Sequence, residues 1–487
     1  MVHSESGDIN ASNILDKINN GEHVVEYDQV IIKGDLNLSL LGHHLKQIVQ
    51  RPNGRLSELN NSSIKITNSI INGKVNLSNT LFLKPIVFAG TNFTETADFS
   101  GSQFSGDANF EGSHFKGNAN FANTQFSDYG NFLQSNFTKD AIFSYSRFMK
   151  NAGFTKSQFG GKANFISSQF GGIAGFAGSQ FKGEAIFNNA TFDEDARFYN
   201  ATFSQDAKFY NCNFTGDSSF GRSKFFGNVI FDGSQFSKAA LFSGSEFSGD
   251  VIFTNSAVMG DADFILSKFA KKANFDQSQF DKIINFHGSK FNEAPSLADI
   301  YFNEIYIDWV AISQFNSGFD GKVYLSLIES YKSRGFYSDA DNCYYAFRLE
   351  QFNHRWITDE PMYLFDLGAW TFYGFGKRPL FALIWSAIFI VLFGAIWIAM
   401  GSKKSRNEID EYSQIRKWPG GVSEAIFFST TLFLSGTKLF VDPPAIPELP
   451  SVSRSIVKKA FIAERLLGAL FSVLFFIAVT GMIFRPS

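Results

Sequence analysis

A phenylalanine repeat dominates the middle of this 487-residue chain. Steps of 11 residues from Phe99 meet phenylalanine at all 18 positions through Phe286. The same steps from Phe104 meet it at 17 of 18 positions, and the exception is Val258. In most repeats a small residue lies two positions before the phenylalanine, mostly alanine in the first series and mostly serine in the second. A fixed period of this kind indicates one structural unit that stacks on copies of itself.

Each repeat predicts a short extended segment, because a small residue and a phenylalanine two positions apart lie on the same face of a strand. The phenylalanines are separated alternately by five and six residues, and Ser-Gly, Lys-Gly and Gly-Asp pairs between them supply the turns. One segment cannot bury its own face, so neighbouring segments must stack into a β-solenoid with phenylalanine inside. Two coils fit the pattern, a four-sided coil that takes two periods and a flatter, two-sided coil that takes one.

This pattern resembles the pentapeptide-repeat family, whose fold is a right-handed, four-sided β-helix. We assign residues 66–295 to this β-helix and residues 1–65 to an N-terminal cap with a short helix at Ile14–Ile18. Between Phe88 and Phe291 there are 19 acidic and 17 basic residues. Some members of the family imitate DNA, which requires an acidic surface, so neither that activity nor a nucleic-acid partner is expected here. The expected role is a cap, a sensor or a docking surface for a cytoplasmic protein.

Helical patterns follow the repeat. Residues 296–378 are predicted to form a connector, in which two helices make a hairpin. The last part of this connector, Pro361–Arg378, is rich in aromatic residues and has a basic end. That composition is typical of an interfacial helix that lies along a membrane surface.

Two segments of the remaining chain are long and apolar enough to cross a bilayer as helices. Residues 379–400 contain no charge, and residues 460–484 contain only Glu464 and Arg465. Between them, Ala425–Leu434 would reach only ~15 Å as a helix, which is too short to cross. A short apolar helix between two long ones favours a re-entrant segment, because non-helical backbone at membrane depth must be enclosed by protein or water.

The last part of the chain, residues 379–487, resembles the two-transmembrane potassium-channel-like pore family. The resemblance rests on FFSTTLFLSG from Phe427, on AERLLGALFSVLFFIAVTGMIF from Ala463, and on the connector sequence YSDADNCYYAFRLEQ. It implies a homotetrameric ion channel with a re-entrant pore loop at residues 424–444. The implied pore and filter residues are Thr430, Thr431, Leu434, Ser435, Gly436, Thr437, Lys438 and Asp442. The implied gating hinges are Gly468 and Gly481.

The filter sequence departs from the potassium-channel pattern. Potassium filters are rings of carbonyl groups from a TVGYG loop, whereas residues 434–438 read LSGTK and keep one glycine. Lys438 would place one positive charge per subunit at the filter, which favours anion permeation or weak selectivity. If Lys438 pairs with Asp442 instead, the ring is neutral and a cation pathway survives. Both interpretations of Lys438 stay open.

Two sequence features give opposite orientations. The loop at residues 401–459 holds nine lysines and arginines, which would place it in the cytoplasm. The long N-terminal part lacks the layout of a signal peptide, so it is not expected to be exported. We give the missing signal more weight and predict a multi-pass plasma-membrane protein with both termini in the cytoplasm.

No catalytic or metal-binding pattern is present in the sequence. Cys212 and Cys343 are isolated, the seven histidines are scattered, and no HExxH, GxSxG or P-loop motif occurs in a consistent setting. An enzyme, a cofactor and a bound metal are therefore not expected. The expected partners are membrane lipid, permeating small ions and further copies of the chain. The alternative to a channel is a membrane-anchored pentapeptide-repeat scaffold that conducts nothing.

The Lys438 hypothesis predicts how Lys438→Glu changes ion selectivity. In a planar bilayer under a salt gradient, this change should move the reversal potential toward the equilibrium potential of the cation, because a ring of carboxylates attracts cations and repels anions. An unchanged reversal potential would contradict a positive ring at the filter.

Overall fold

The computed structural model of the chain divides into two compact units, Met1–Ser330 and Tyr331–Ser487. The first is a parallel β-solenoid of about 13 turns, and the second consists of helices. The structure describes residues 7–38, 48–50, 56–315, 319, 321–354, 362–402, 419, 421–437, 441–444 and 451–483.

Three sheets cover the four sides of the solenoid, because one of them holds two sides. The first sheet contains Asp8–Asn10, Ile31–Lys33, Ile70–Asn72 and two-residue strands that recur once per coil from Asn92–Phe93 to Lys290–Phe291. The second contains Leu36–Asn37, Val75–Asn76 and strands with the same recurrence from Ala97–Asp98 to Ala273–Asn274.

The third sheet supplies the remaining two sides. It begins with Val24–Asp28, Ile48–Gln50, Leu56–Asn60, Ser63–Thr67, Thr80–Phe82 and Ile86–Val87. Two-residue strands then recur once per coil from Gln103–Phe104 to Ala257–Val258 and from Ala108–Asn109 to Ala262–Asp263. It ends with Gln279–Asn285 and Tyr301–Tyr306.

The register of the strands decides between the two predicted coils. Each core strand pairs in parallel with the strand one coil later, as Phe82 pairs with Phe104, which is a step of two repeat periods. The four-sided coil is confirmed and the two-sided coil is wrong, because the strands of successive periods lie on different sides of the solenoid. The sheets already begin before residue 66, since Val24–Asp28 pairs with Ser63–Thr67.

Phenylalanine rings fill the solenoid in stacked columns. Phe165 is fully buried, and its ring lies parallel to those of Phe143 and Phe187 at centroid distances of 4.9 and 4.8 Å. Phe154 and Phe176 meet the same ring edge-on, each at 5.4 Å. Both arrangements are favoured by the charge distribution of aromatic rings. The parallel separation also matches the ~4.8 Å spacing of hydrogen-bonded strands, so side chains and backbone share one rise per coil.

Buried hydroxyl groups find partners at the edges of this core. Serines of the second series donate to the carbonyl of a residue 25 positions earlier, as Ser157 does to Phe132 at 2.6 Å. Cys212 takes one of these positions, and its Sγ lies 3.0 Å from the Phe187 carbonyl oxygen. Burial raises the pKa of the Cys212 thiol far above its ordinary value. This cysteine is therefore a core residue.

One corner in each repeat period has left-handed backbone, from Asn68 to Asp299. The corner lies two positions after each phenylalanine of the first series, and Gly101 and Asn123 are typical occupants. Glycine and asparagine adopt positive φ at low cost, which explains their frequency there. This tight corner produces the five-residue spacing, and the opposite corner takes one residue more.

The helices are α1 (Ala11–Asn19), α2 (Trp309–Ile312), α3 (Gly321–Ser333), α4 (Tyr337–His354), α5 (Met362–Tyr373), α6 (Pro379–Ser402), α7 (Val422–Leu434) and α8 (Ser451–Ile483). The helix predicted at Ile14–Ile18 lies within α1. A 3₁₀ turn at Gly374–Gly376 separates α5 from α6. Helices α3 and α4 occupy the segment for which a helical hairpin is predicted.

The ring columns predict different effects for two phenylalanines. Phe165→Ala should lower the free energy of unfolding by about 3–5 kcal/mol, because it leaves a cavity among stacked rings. Phe226 lies at a solenoid corner and is 55% exposed, so Phe226→Ala should change that free energy by less than about 0.5 kcal/mol. Chemical denaturation of the full-length protein, followed by circular dichroism, measures both. Equal losses would contradict a core held by ring stacking.

Candidate functional site in the apolar helices

Two helices of the second unit are long and apolar enough to cross a membrane. The candidate spans are Pro379–Met400 in α6 and Ser455–Thr480 in α8, with mean hydropathies of 2.5 and 2.1. Only 22% of each span is buried within the chain. Most of their apolar surface is therefore not covered by the described part of the chain, and exposed apolar surface of this extent marks an interaction site.

A shorter apolar helix, α7, packs against both spans. Ser429 near its middle donates a hydrogen bond to the carbonyl of Ile390 at 2.8 Å, at mid-length of the α6 span. Nearer its start, Ile426 lies 3.5 Å from the position of a Cβ atom at Gly394. These two contacts show that α7 runs opposite to α6. Its 13 residues extend ~20 Å, which is less than the ~30 Å thickness of a bilayer core.

Glu464 of α8 joins the three helices. Its buried carboxyl group accepts a hydrogen bond from Trp397 Nε1 of α6 at 2.8 Å and contacts the Ser429 hydroxyl of α7. A carboxyl group inside an apolar segment is costly unless its oxygens find partners, and both oxygens do so here. The sequence marks Glu464 only as an interruption of the second span. The partners that give it a structural role come from the packing of three distant segments.

The end of α7 lies backbone to backbone against α8. A Cβ atom at Gly468 would be 1.9 Å from the carbonyl oxygen of Phe433, and one at Gly436 would be 2.3 Å from the carbonyl oxygen of Arg465. Such distances exclude any side chain without a shift of the backbone. Gly468, a predicted hinge, is thus a close-packing position, and its role in gating stays a prediction. Gly481 lies in the same helix, and its hinge role also stays a prediction.

The predicted filter residues are brought together only in part. The hydroxyls of Thr430 and Thr431 donate to carbonyls one turn earlier in α7, each at 2.8 Å. Ser435 is buried, and its hydroxyl donates to the Leu432 carbonyl at 2.7 Å. These three hydroxyls are therefore bonded within their own segment.

The other predicted filter residues lie around the end of α7. Leu434 is its last residue, and Thr437 is half-buried just beyond it. Asp442 is exposed in the segment 441–444, which has no regular structure. Lys438 lies outside the described residues, so its pairing with Asp442 stays a prediction.

Charged contacts tie α4 to the start of the first span. Asp366 of α5 is buried and pairs with Arg348 of α4 at 2.6 Å. Lys377 pairs with Asp341 of α4 at 2.8 Å, just before α6 begins. Between α5 and α6, Phe375 has a φ of +53° and is flanked by two left-handed glycines. These contacts hold a strained reversal of the chain in place.

Helix α5 also presents an apolar surface. Leu364 and Phe365 are 59% and 65% exposed. On another side, Phe372 packs edge-on against Phe471 of α8 at 5.5 Å, and the Thr371 carbonyl accepts a hydrogen bond from Trp385 Nε1 of α6 at 2.8 Å. α5 is thus attached to both candidate spans and leaves apolar side chains uncovered.

Comparison with known proteins identifies the repeat. A family model for pentapeptide repeats matches nine copies, which together extend over residues 66–246. This segment is therefore built of pentapeptide repeats, as the phenylalanine pattern predicts. No curated protein matches the chain, and no solved structure does. The potassium-channel-like resemblance is not confirmed by these comparisons and stays a prediction.

The close contact at the end of α7 predicts opposite effects for two helical glycines. Gly468→Ala should destabilise the helical unit by about 1–3 kcal/mol, because the new methyl group meets the backbone of α7. Gly394→Ala meets Ile426 at an ordinary contact distance and should stabilise by up to about 1 kcal/mol through helix propensity. Thermal unfolding of the detergent-solubilised protein compares them. Equal midpoints would contradict the tight packing at Gly468.

Proposed function

We propose that this protein is an ion channel, in which several copies of residues 379–487 surround a pore. In this proposal α6 and α8 cross the membrane, and α7 begins a re-entrant loop between them. The observation that carries the proposal is the position of α7. Its Ser429 bonds to Ile390 at mid-length of the first span, and its 13 residues are too few to cross a bilayer. A helix that enters the apolar layer without crossing it must return to the side from which it came.

The backbone that follows α7 supports the requirement for several copies. Ser435 and Gly436 are not helical, yet Gly436 lies against residues 465–469 within the second span. Non-helical backbone at membrane depth is stable only where protein buries it or water reaches it. Away from the two spans, α7 leaves Phe427 74% exposed. Further copies of the chain would cover this side and enclose water, and the family resemblance gives the number as four.

The surface of α5 supports the proposed orientation. Exposed Leu364 and Phe365 of α5 would enter the interface between membrane and water. The basic residues Lys377 and Arg378 follow α5 just before the first span, and basic residues favour the cytoplasmic side. The first span would then begin on the cytoplasmic side, and both termini would be cytoplasmic. The solenoid would serve as a cytoplasmic sensor or docking domain. The filter sequence favours an anion-permeable or weakly selective pore, on the charge of Lys438.

The alternative is a pentapeptide-repeat scaffold that the two apolar helices anchor to a membrane and that conducts nothing. A tether needs two apolar helices but no third helix packed along both of them. It also needs no polar cluster of Glu464, Trp397 and Ser429 in the apolar layer, where such groups are costly. These two features favour the channel over the scaffold.

The channel proposal predicts that a charged thiol reagent blocks current through Thr437→Cys. The purified full-length protein should run as a tetramer and conduct in planar bilayers. A membrane-impermeant methanethiosulfonate should then remove most of the current of this variant, because residue 437 follows the non-helical turn and would face water. The native cysteines give little background, since burial raises the pKa of Cys212 and raises that of Cys343 to about 12.

The matched control is Val391→Cys on the first span. Val391 is 59% exposed and would face lipid, which a charged reagent does not enter. Current through this variant should be unaffected by the reagent. A monomeric particle without current would overturn the channel and leave the membrane-anchored scaffold.

A further inference from the structure

Arg465 places a positive charge inside the second candidate span. Its Nε is buried and has no hydrogen-bond partner in the part of the chain that the structure describes. None of the ion pairs among the described residues includes Arg465. Its guanidinium carbon lies 5.9 Å from the centre of the Phe461 ring. An aromatic face lowers the cost of a charge but does not replace a hydrogen-bond acceptor.

The neighbouring carboxyl group is not available to Arg465. Glu464 precedes it directly, and adjacent helical residues do not face each other. Both carboxyl oxygens of Glu464 already have partners, Trp397 Nε1 on one and the Ser429 hydroxyl on the other. Glu464 and Arg465 thus have different surroundings.

Three carbonyl groups at the end of α7 already accept hydrogen bonds. The carbonyl of Thr431 accepts from the Ser435 amide at 3.0 Å, and that of Phe433 accepts from the Gly436 amide at 3.1 Å. The Leu432 carbonyl accepts from the Ser435 hydroxyl. These groups lie beside the backbone of Arg465, because Gly436 packs against its carbonyl. Within the described residues the unsatisfied group at this place is therefore the Arg465 Nε donor, while these three carbonyl groups already accept hydrogen bonds.

We infer that Arg465 binds a small monovalent anion, such as chloride, beside the end of α7. The guanidinium group is always protonated, and hydrogen bonds from it to an anion are among the strong ones in proteins. A bound anion would satisfy the orphaned donor and compensate its charge. The effect of this anion site on conduction rests on the proposed channel, in which each copy of the chain would contribute one Arg465 to a ring that attracts anions.

Permeability ratios of Arg465 variants test this inference in the full-length protein. In bilayers of phosphatidylcholine under a KCl gradient, Arg465→Gln should lower the chloride-to-potassium permeability ratio about tenfold, the factor expected for one charged hydrogen bond. Arg465→Lys keeps the charge and should retain the anion preference. Lys459→Gln removes an exposed charge from the start of the same helix and should leave the ratio unchanged. An unchanged ratio in Arg465→Gln would overturn the inference while the channel stands.

A lipid phosphate has the same chemistry as a bound anion, and a second bilayer separates the two sources. An effect of Arg465→Gln that occurs only when phosphatidylglycerol is added would assign the site to a lipid headgroup and overturn binding of a dissolved anion.

A binding measurement tests the site even if the protein conducts nothing, in which case the channel proposal has failed by itself. Replacing gluconate by chloride at constant ionic strength should raise the thermal unfolding midpoint of the wild type and of Lys459→Gln in detergent. The midpoint of Arg465→Gln should not respond. An equal response in all three proteins, or none in the wild type, would overturn the inference.

Discussion

The first unit depends on the match between two distances, the separation of stacked phenylalanine rings and the spacing of hydrogen-bonded strands. Stacked phenylalanine rings such as Phe165 and Phe187 are 4.8 Å apart, which is also the spacing of hydrogen-bonded strands. Each coil can therefore satisfy its backbone and its core with the same rise, and two repeat periods return the chain to the same side.

Val258 shows whether backbone pairing or ring stacking sets the register of the strands. It pairs with Phe236 and Phe280 as a phenylalanine would, and it is buried although its column of rings is interrupted. Backbone pairing sets the register, and the rings fill the space that the pairing leaves.

Much of the first unit could be predicted from the sequence because its information is local and periodic. A small residue and Phe99 on one face of a strand, followed by a turn, form a complete unit that is repeated without long-range partners. The number of sides could not be predicted in the same way. A coil of one period and a coil of two periods place identical patterns on every strand, and only the closure of the chain in space distinguishes them.

The second unit was less predictable, because its key contacts join segments that are distant in the chain. Hydropathy suffices to find the two spans and the short α7. The partners of Glu464 come from α6 and α7, and nothing in the sequence around Trp397 or Ser429 announces them. The hinge role of Gly468 is implied by the resemblance to the pore family and stays a prediction. The contact of Gly468 with the Phe433 carbonyl is a second reason for glycine there, which depends on where α7 ends.

The way in which the connector is held bears on the choice between channel and scaffold. Arg348 of α4 forms an ion pair with α5, and Asp341 of α4 forms one with Lys377, just before α6. Helix α5 also contacts Trp385 of α6 and Phe471 of α8. The turn between α5 and α6 contains Phe375 in a left-handed conformation, which costs of order 1 kcal/mol or more and persists only where surrounding contacts impose it. A tether would be served by any flexible linker. In the proposed channel, a connector held to both candidate spans at a strained turn would link α4 to the two helices that pack against α7, whereas a scaffold gives such a link no role.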